Sequence, residues 1–469
     1  MIIPTEEQSD IIYSEAELIF VLAGAGTGKT STLVSFSNMR KKNSILYIVY
    51  NNSVKEEAKG KFPERVIIHT IHSLAFSIIG KKYKEKLTEN LQVENIVKAL
   101  SFFEDKRTSD SALINIAMSV INALNYYFNS DVLKIGDLSL DDTIKNLAEE
   151  YWLKMQDIEN QEALITHDGY LKLYQLTNPK LDYDYIMVDE AQDSNEVMLD
   201  IVFKQHSKKI FVGDPSQKIY GFRGAINVFN SKKYMEYKPE MFSLTESFRF
   251  GQEIADVANE VLNAIPGNKI AIKGCDRESE IAKVDKEIQY TILFRTNTKL
   301  VDKAISLAEE GKSIHIIGGL EDIIKDAMDI YYLFAEEYDN IKSAFFKNFK
   351  HYNNFLQLTA DLKIAKYKFL VRLIEQYGDT LLIKITKLKE QQEGKRSADV
   401  LLSSTHKAKG LEFVSVILWD DFKEILDFLK IQNPDEKIIE EINLLYVAIT
   451  RATHTLELNK NVENFRRVV

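Results

Sequence analysis

AGAGTGKT, Ala23 to Thr30, follows the apolar run LIFVLAG (Leu18 to Gly24) and opens a segment with helical spacing. A buried strand, a glycine turn and a helix, in that order, are the context a phosphate-binding loop requires. Gly24, Gly26 and Gly28 let backbone N–H groups close around phosphate oxygens, and the helix N-terminus adds a favourable dipole. Ala25, Thr27 and Ser31 complete the set of expected contacts. Lys29 would reach the β- and γ-phosphates, and Thr30 would hold Mg²⁺ through its hydroxyl. The first position of the pattern is ordinarily glycine and is Ala23 here; the rest is intact.

Further along, ILYIVYN (Ile45 to Asn51), YIMVDE (Tyr185 to Glu190) and KIFVGD (Lys209 to Asp214) read as buried strands of the same kind. A second set follows: YTILFRTN (Tyr290 to Asn297), SIHIIGG (Ser313 to Gly319), VLLSST (Val400 to Thr405) and VSVILWD (Val414 to Asp420). Short apolar strands alternating with helical segments predict parallel sheets with crossover helices. The fold class is therefore α/β, with two P-loop-type lobes, each carrying a helical insertion. The expected boundaries are 1–75 and 182–280 for the first lobe, with 76–181 inserted. The second lobe is expected at 281–336 and 399–469, with a smaller insertion at 337–398. VDEAQD (Val188 to Asp193) falls at a strand end, where parallel sheets place their chemistry. Asp189 is expected at Mg²⁺ and Glu190 at the attacking water; alone, such a pair is often a solvated loop or helix cap.

With 469 residues, 45% hydrophobic and 28% charged, the chain falls in the globular class and is long enough for several domains. Its apolar runs stay short of the roughly 20 residues that span a bilayer, and no secretory leader is visible. No membrane role is expected. Cys275 is the one cysteine, which excludes an internal disulfide and multi-cysteine metal sites. A cytoplasmic compartment is expected, nucleoid-associated in a prokaryote or virus and nuclear in a eukaryote. The net charge of −10 is awkward for a nucleic-acid binder, although an acidic shell around a basic track is compatible with binding.

In order along the chain come TEEQ, AGAGTGKT, YNNSVKEEA, IHTIHSLA, VDEAQD, GDPSQKIYGFRGA, TESFRF, STHKAKGLEF and LLYVAITRA. The series resembles superfamily 1 helicases of the UvrD/Rep/PcrA type over almost the whole length. THDGYLKLYQL and IIGG, with HKAKGLEF followed by DDF, resemble the F-box DNA helicase branch in particular. Because the sequence starts at TEEQ, an F-box is expected to be absent, and the second insertion is expected to be smaller than in UvrD-type enzymes.

The resemblance implies ATP as substrate and assigns roles. Gln8 would read the adenine edge, Phe248 stack on it and Glu412 contact the ribose. Arg249 and Arg451 would stand at the γ-phosphate, Arg451 contributed by the second lobe, and Gln217 would sense that phosphate. Either arginine, read alone, is equally compatible with a surface ion pair. Tyr50, Tyr220 and Phe222 fall where relatives stack DNA bases, while Arg223, Thr70, His72 and His406 would touch DNA backbone or bases. An aromatic beside a glycine is more often core than platform, and Thr70 and His72 could instead brace the first lobe. The resemblance also implies a 3′-to-5′ translocase and helicase on single-stranded DNA and tailed or forked duplexes, active in repair, recombination or replication, and a monomer. Two alternatives stay open: a translocase that displaces recombinase filaments with weak unwinding, and a catalytically silent scaffold, which predicts decayed motifs. HDGYLK receives no role.

Overall fold

Short runs rich in β-branched and aromatic residues become strands here, and most are buried on both faces, as parallel sheets require. The computed structural model describes residues 3–100, 102, 111–221, 224–268, 270–319, 321–347, 349–362, 365–431 and 433–468. In chain order the strands are β1 (Leu18–Ala23), β2 (Ile45–Ile48), β3 (Val66–His69), β4 (Leu87–Thr88), β5 (Ile165–Thr166), β6 (Tyr185–Val188), β7 (Lys208–Gly213) and β8 (Glu240–Leu244). They continue with β9 (Glu280–Ile281), β10 (Tyr290–Phe294), β11 (Ile314–Ile316), β12 (Val400–Ser404), β13 (Phe413–Leu418) and β14 (Ala452–Glu457).

Two six-stranded sheets result, ordered β3-β2-β6-β7-β1-β8 and β11-β12-β10-β13-β14-β9. Every pairing within them is parallel. The expected mixed α/β fold with parallel sheets is what forms. In the first sheet β1 lies between β7 and β8, so the phosphate loop leaves its C-terminal edge next to the ends of β6 and β7.

Residues between β3 and β6 form mainly helices, Ser111–Asn129, Asp142–Gln156 and His167–Leu176 among them, with the two-residue β4–β5 ladder beside them. Their apolar faces share one core with Phe20, Leu46, Ile186 and Phe211 of the first sheet. The opposite face of that sheet packs Val21, Tyr47 and Met187 against Leu33 and Phe36 of the Lys29–Met39 helix.

Between β11 and β12 the helices Glu321–Phe334, Tyr352–Leu362, Ala365–Tyr377 and Leu381–Glu390 cover one face of the second sheet. Ile114 of the first insertion joins that cluster, so the two insertions touch. On the other face, the Gln252–Leu262 helix packs with Glu436–Ile449 in a core that also takes Ala25 and Ile219. The apolar side of Gln252–Leu262 (Ile254, Val257, Ala258, Val261) is thus shared with the second lobe rather than sealed in the first.

Candidate functional site

β1 ends at Ala23 and the chain reverses into the Lys29–Met39 helix. Gly26 and Gly28 hold φ values of 75° and 77°, a region strained for any residue with a side chain. Space is short as well. A Cβ on Gly26 would stand 2.6 Å from Ser247 Oγ and Arg249 Cβ, and one on Gly28 would stand 2.9 Å from Gln8 Nε2. The loop is therefore flanked by Gln8 and by the Phe248–Arg249 segment. Gln8 is oriented by a capping box in which its Oε1 accepts from the Thr5 N–H at 3.1 Å, and its Nε2 faces the loop. The Phe248 ring, expected at adenine, is partly open to solvent. Thr27 Oγ1 donates to the Gly24 carbonyl at 2.9 Å, Gly24 packs on Ile272, and Ser31 is exposed on the first helical turn.

Lys29 Nζ lies 3.3 Å from Glu190 Oε1. Glu190 itself sits at φ 50°, a sparsely populated conformation for a non-glycine residue, just beyond the end of β6. Asp189 Oδ1 accepts the Glu190 N–H at 2.9 Å, and its Oδ2 accepts the Tyr47 phenol, which is also hydrogen-bonded to Thr30. The two expected Mg²⁺ ligands, Thr30 and Asp189, are thereby gathered around one phenol. Burial opposes ionisation of Glu190, but Lys29, Lys409 and Gln192 hold its carboxyl down at about 2. Burial and the neighbouring Glu190 push Asp189 up. Burial alone would lower Lys29, yet Glu190, Asp214 and Asp189 outweigh it and leave the ammonium raised. Among the described residues no cluster of three His, Cys, Asp or Glu could hold a metal; a cation at Thr30 and Asp189 would draw its other ligands from substrate and water.

Arg249 spans the cleft: Nε donates to Glu412 Oε1 at 2.7 Å and Nη1 to the Thr450 carbonyl at 2.9 Å. Glu412, expected at a ribose, is in this state the partner of Arg249. Arg451 is fully buried, its guanidinium donating to the Val447 and Leu411 carbonyls and to Thr450 Oγ1. Burial and nearby Arg249 push its pKa down to about 9, which leaves it charged at neutral pH. Gln217 Nε2 is committed to Asp214 Oδ2 at 2.7 Å.

Four partners in this network escape a reading of the sequence. Gln192 Nε2 donates to Glu190 while its Oε1 accepts the Asp214 N–H. Tyr446 and Lys409 reach in from the second lobe, and Lys409 donates to both Asp193 Oδ2 and the Gln217 carbonyl. Gln192 and Asp193 stood within VDEAQD as a visible signal, and Lys409 and Tyr446 within HKAKGLEF and LLYVAITRA; their partners are distant in sequence.

Of the residues expected at DNA, Tyr50 and Tyr220 stack with ring centroids 5.8 Å apart at 14°, and Tyr220 Oη donates to the His406 carbonyl. Phe222 and Arg223 lie outside the described residues. Thr70 is buried and caps the Ile71–Ile78 helix, its Oγ1 accepting from the Ser73 N–H. His72 Nε2 lies 2.9 Å from Asp168. A cavity of about 70 Å³ is lined by Tyr50 and His72 together with Asp189, Glu190 and Asp193. HDGYLK is largely structural. Lys172, fully buried, donates to the Ser130 and Val132 carbonyls and to Gln175, and Tyr170 Oη pairs with His167.

Residues 4–238 match the family model of the UvrD/REP helicase N-terminal domain. Over 98% of its length the chain is 33% identical to F-box DNA helicase 1 of Gallus gallus and 29% identical to F-box DNA helicase protein 1 of Schizosaccharomyces pombe. It is 25% identical, again over 98%, to a Mycoplasma pneumoniae protein named "Probable DNA helicase", of which it covers 84%. It spans 49% and 57% of the two F-box relatives, about half their length.

Proposed function

The chain belongs to the UvrD/REP helicase family, and from that membership we propose that it is an ATP-driven motor that moves 3′-to-5′ along single-stranded DNA and separates tailed or forked duplexes. In this reading residues 1–75 with 182–280, and 281–336 with 399–469, act as two lobes pinching one ATP, with 76–181 and 337–398 as their insertions. DNA repair, recombination or replication is the setting, and a monomer suffices.

The cleft suits a nucleoside triphosphate with a divalent ion: a cradle that admits no Cβ at Gly26 or Gly28, three nearby cations (Lys29, Arg249, Arg451) and hard oxygen donors at Thr30 and Asp189. Mg²⁺ held there would neutralise charge on the β- and γ-phosphate oxygens. Lys29 binds those phosphates, Gln8 and Phe248 orient the base, and Glu190 takes the proton of the attacking water. Arg249, Arg451 and Gln217 stabilise the transferring group, which is positioning and charge rather than covalent chemistry. Tyr50, Tyr220 and Phe222 offer stacking faces to bases, each worth about 1–3 kcal/mol irrespective of sequence.

One observation carries the coupling. Lys409 Nζ reaches Asp193 in the acidic turn and the Gln217 carbonyl, and it lies 5.1 Å from the centre of the Tyr220 ring. A single side chain of the second lobe thus touches both the hydrolytic end and the aromatic stack, which gives a shift at one end a direct route to the other. The test is ATP hydrolysis measured with single-stranded DNA, with RNA and without nucleic acid, followed by unwinding of tailed duplexes of both polarities. Strong stimulation by DNA and unwinding from a 3′ tail are expected; a rate indifferent to nucleic acid overturns the reading. A second reading, displacement of recombinase filaments with weak unwinding, draws on the likeness to F-box DNA helicases. It predicts protein displacement faster than strand separation on one substrate.

A further inference from the structure

The turn from Asp214 to Lys218 leaves β7 of the first lobe, yet three of the polar ties that hold it come from the second. Tyr446 Oη donates to Asp214 Oδ2 at 2.9 Å, Lys409 Nζ to the Gln217 carbonyl at 2.6 Å and Asn443 Nδ2 to the Lys218 carbonyl at 3.0 Å. Tyr446 differs from the other two because it also reaches the phosphate loop. The Ala25 N–H donates to its oxygen at 3.1 Å.

Chemistry fixes the direction of this chain. An amide N–H only donates, so the phenol oxygen accepts from Ala25 and must aim its one hydrogen at Asp214. Asp214 also accepts from Gln217 Nε2 at 2.7 Å and from the Ser216 N–H at 3.0 Å. The order is Ala25 N–H to Tyr446 O–H to Asp214, with Gln217 donating to the same carboxylate oxygen. Ala25, Asp214 and Tyr446 are all fully buried. Burial and Asp214 push the Tyr446 phenol well above its usual range, so the hydrogen stays in place across working pH. In a dry chain of this kind each bond polarises the next, and a missing member leaves its neighbours unpaired.

Resting on the reading of the cleft as an ATP site, we propose that the Tyr446 hydroxyl is a positioning residue for hydrolysis. It ties the phosphate loop to the Asp214–Gln217 turn, so that Gln217 is aligned only while the second lobe is docked. Tyr446 touches no reacting atom and acts through Gln217 and the loop. The hydroxyl, not the ring, is the working part: the ring belongs to the apolar core around the Glu436–Ile449 helix and would be equally well served by phenylalanine.

The experiment is Tyr446→Phe in the full chain, with kcat and KM for ATP measured with and without single-stranded oligo-dT, and binding of a fluorescent non-hydrolysable ATP analogue measured alongside. DNA-stimulated kcat should fall at least about tenfold while KM and analogue affinity stay within about threefold, the pattern of a contact that matters in the transition state more than the ground state. A purely structural hydroxyl would instead lower analogue binding and kcat together. Asp214→Ala removes the shared acceptor, so it cuts the same chain from the other lobe and covers the case of a poorly folding Tyr446→Phe; it should show the same split. Combined, the two should cost no more than about twice the worse single change, because they sever one path. Unchanged kcat in either variant, parallel losses of kcat and analogue binding, or costs that simply multiply, would overturn the proposal. Wild-type turnover indifferent to DNA would sink the motor reading itself, whereas a DNA-stimulated wild type with an unimpaired Tyr446→Phe sinks only this inference.

Discussion

Lys29 and Glu190 face each other at 3.3 Å, and that pairing decides how the acid can work. Lys29 is the leading influence holding the Glu190 carboxyl down, so the carboxylate becomes a better base once the ammonium turns to a phosphate. Glu190→Gln keeps the side chain's size and removes the base; DNA-stimulated turnover should drop by about 10²-fold or more with analogue binding retained. Retained turnover in the purified variant would refute the assignment. Asp193 gives a pH signature. Burial raises its carboxyl from 3.8 to about 6 against the opposing pull of Lys409. The sign follows: what the neutral acid contributes to stability is present below 3.8 and is lost as pH rises through about 6. The ionised Asp193–Lys409 pair therefore exists fully only above that point. Stimulation by DNA should rise through a midpoint near 6, and Asp193→Asn should flatten that rise; a profile shared by variant and wild type counts against it. At this scale the motifs singled out the residues to which the proposed chemistry is assigned, and the structure gathers Lys29, Asp189 and Glu190 at one turn. The sequence could not show that Glu412 occupies Arg249, or that Thr70 is spent on a helix cap, because those are matters of who stands nearest in space.

Strands were legible where both faces are buried. LIFVLAG and the first four residues of YIMVDE are continuous apolar runs and became β1 and β6, while VLLSST, apolar in its first half, became β12. β8 and β14 were not among the runs singled out, because EMFSL and ATHTLE mix exposed with buried positions. The β4–β5 ladder, two residues on each side and 78 apart in sequence, has no local signal at all. HDGYLK shows the same limit. Its lysine looks like a surface cation, yet Lys172 is fully buried and ties the Ser130 and Val132 carbonyls to the His167–Leu176 helix, 4.5 Å from the Tyr127 ring centre. Lys172→Met fits the aliphatic space but leaves those carbonyls and Gln175 Oε1 unpaired. A loss of about 1–3 kcal/mol in unfolding free energy is expected, with little change in ATP affinity. Denaturant unfolding with an unshifted midpoint would show that the buried ammonium contributes nothing net.

At the scale of the molecule the two sheets are joined less by a hinge than by a shared interior. Ala25 and Ile219 from the first lobe sit in one core with the Glu436–Ile449 helix, and the polar ties of Arg249, Lys409 and Tyr446 cross the same seam. Two lobes could be counted from the order of strand runs; that the Gln252–Leu262 helix would serve both could not, since its apolar stripe names no partner. The seam predicts how Arg249 behaves. Its Nε and Nη1 are held by Glu412 and the Thr450 carbonyl, both in the second lobe, so turning the whole guanidinium to a γ-phosphate exchanges those partners for substrate. Arg249→Ala should then do two things at once: slow DNA-stimulated hydrolysis by about 10²-fold, as loss of a transition-state cation does, and loosen the seam in the absence of nucleotide. Small-angle scattering of the nucleotide-free variant should show a wider spread of lobe separations than wild type. Glu412→Gln, which weakens the resting tie but keeps the arginine, should reproduce the loosening without the full loss of kcat. If Arg249→Ala slows hydrolysis while lobe separation is untouched, the arginine acts on substrate alone and the resting bridge to Glu412 has no mechanical part.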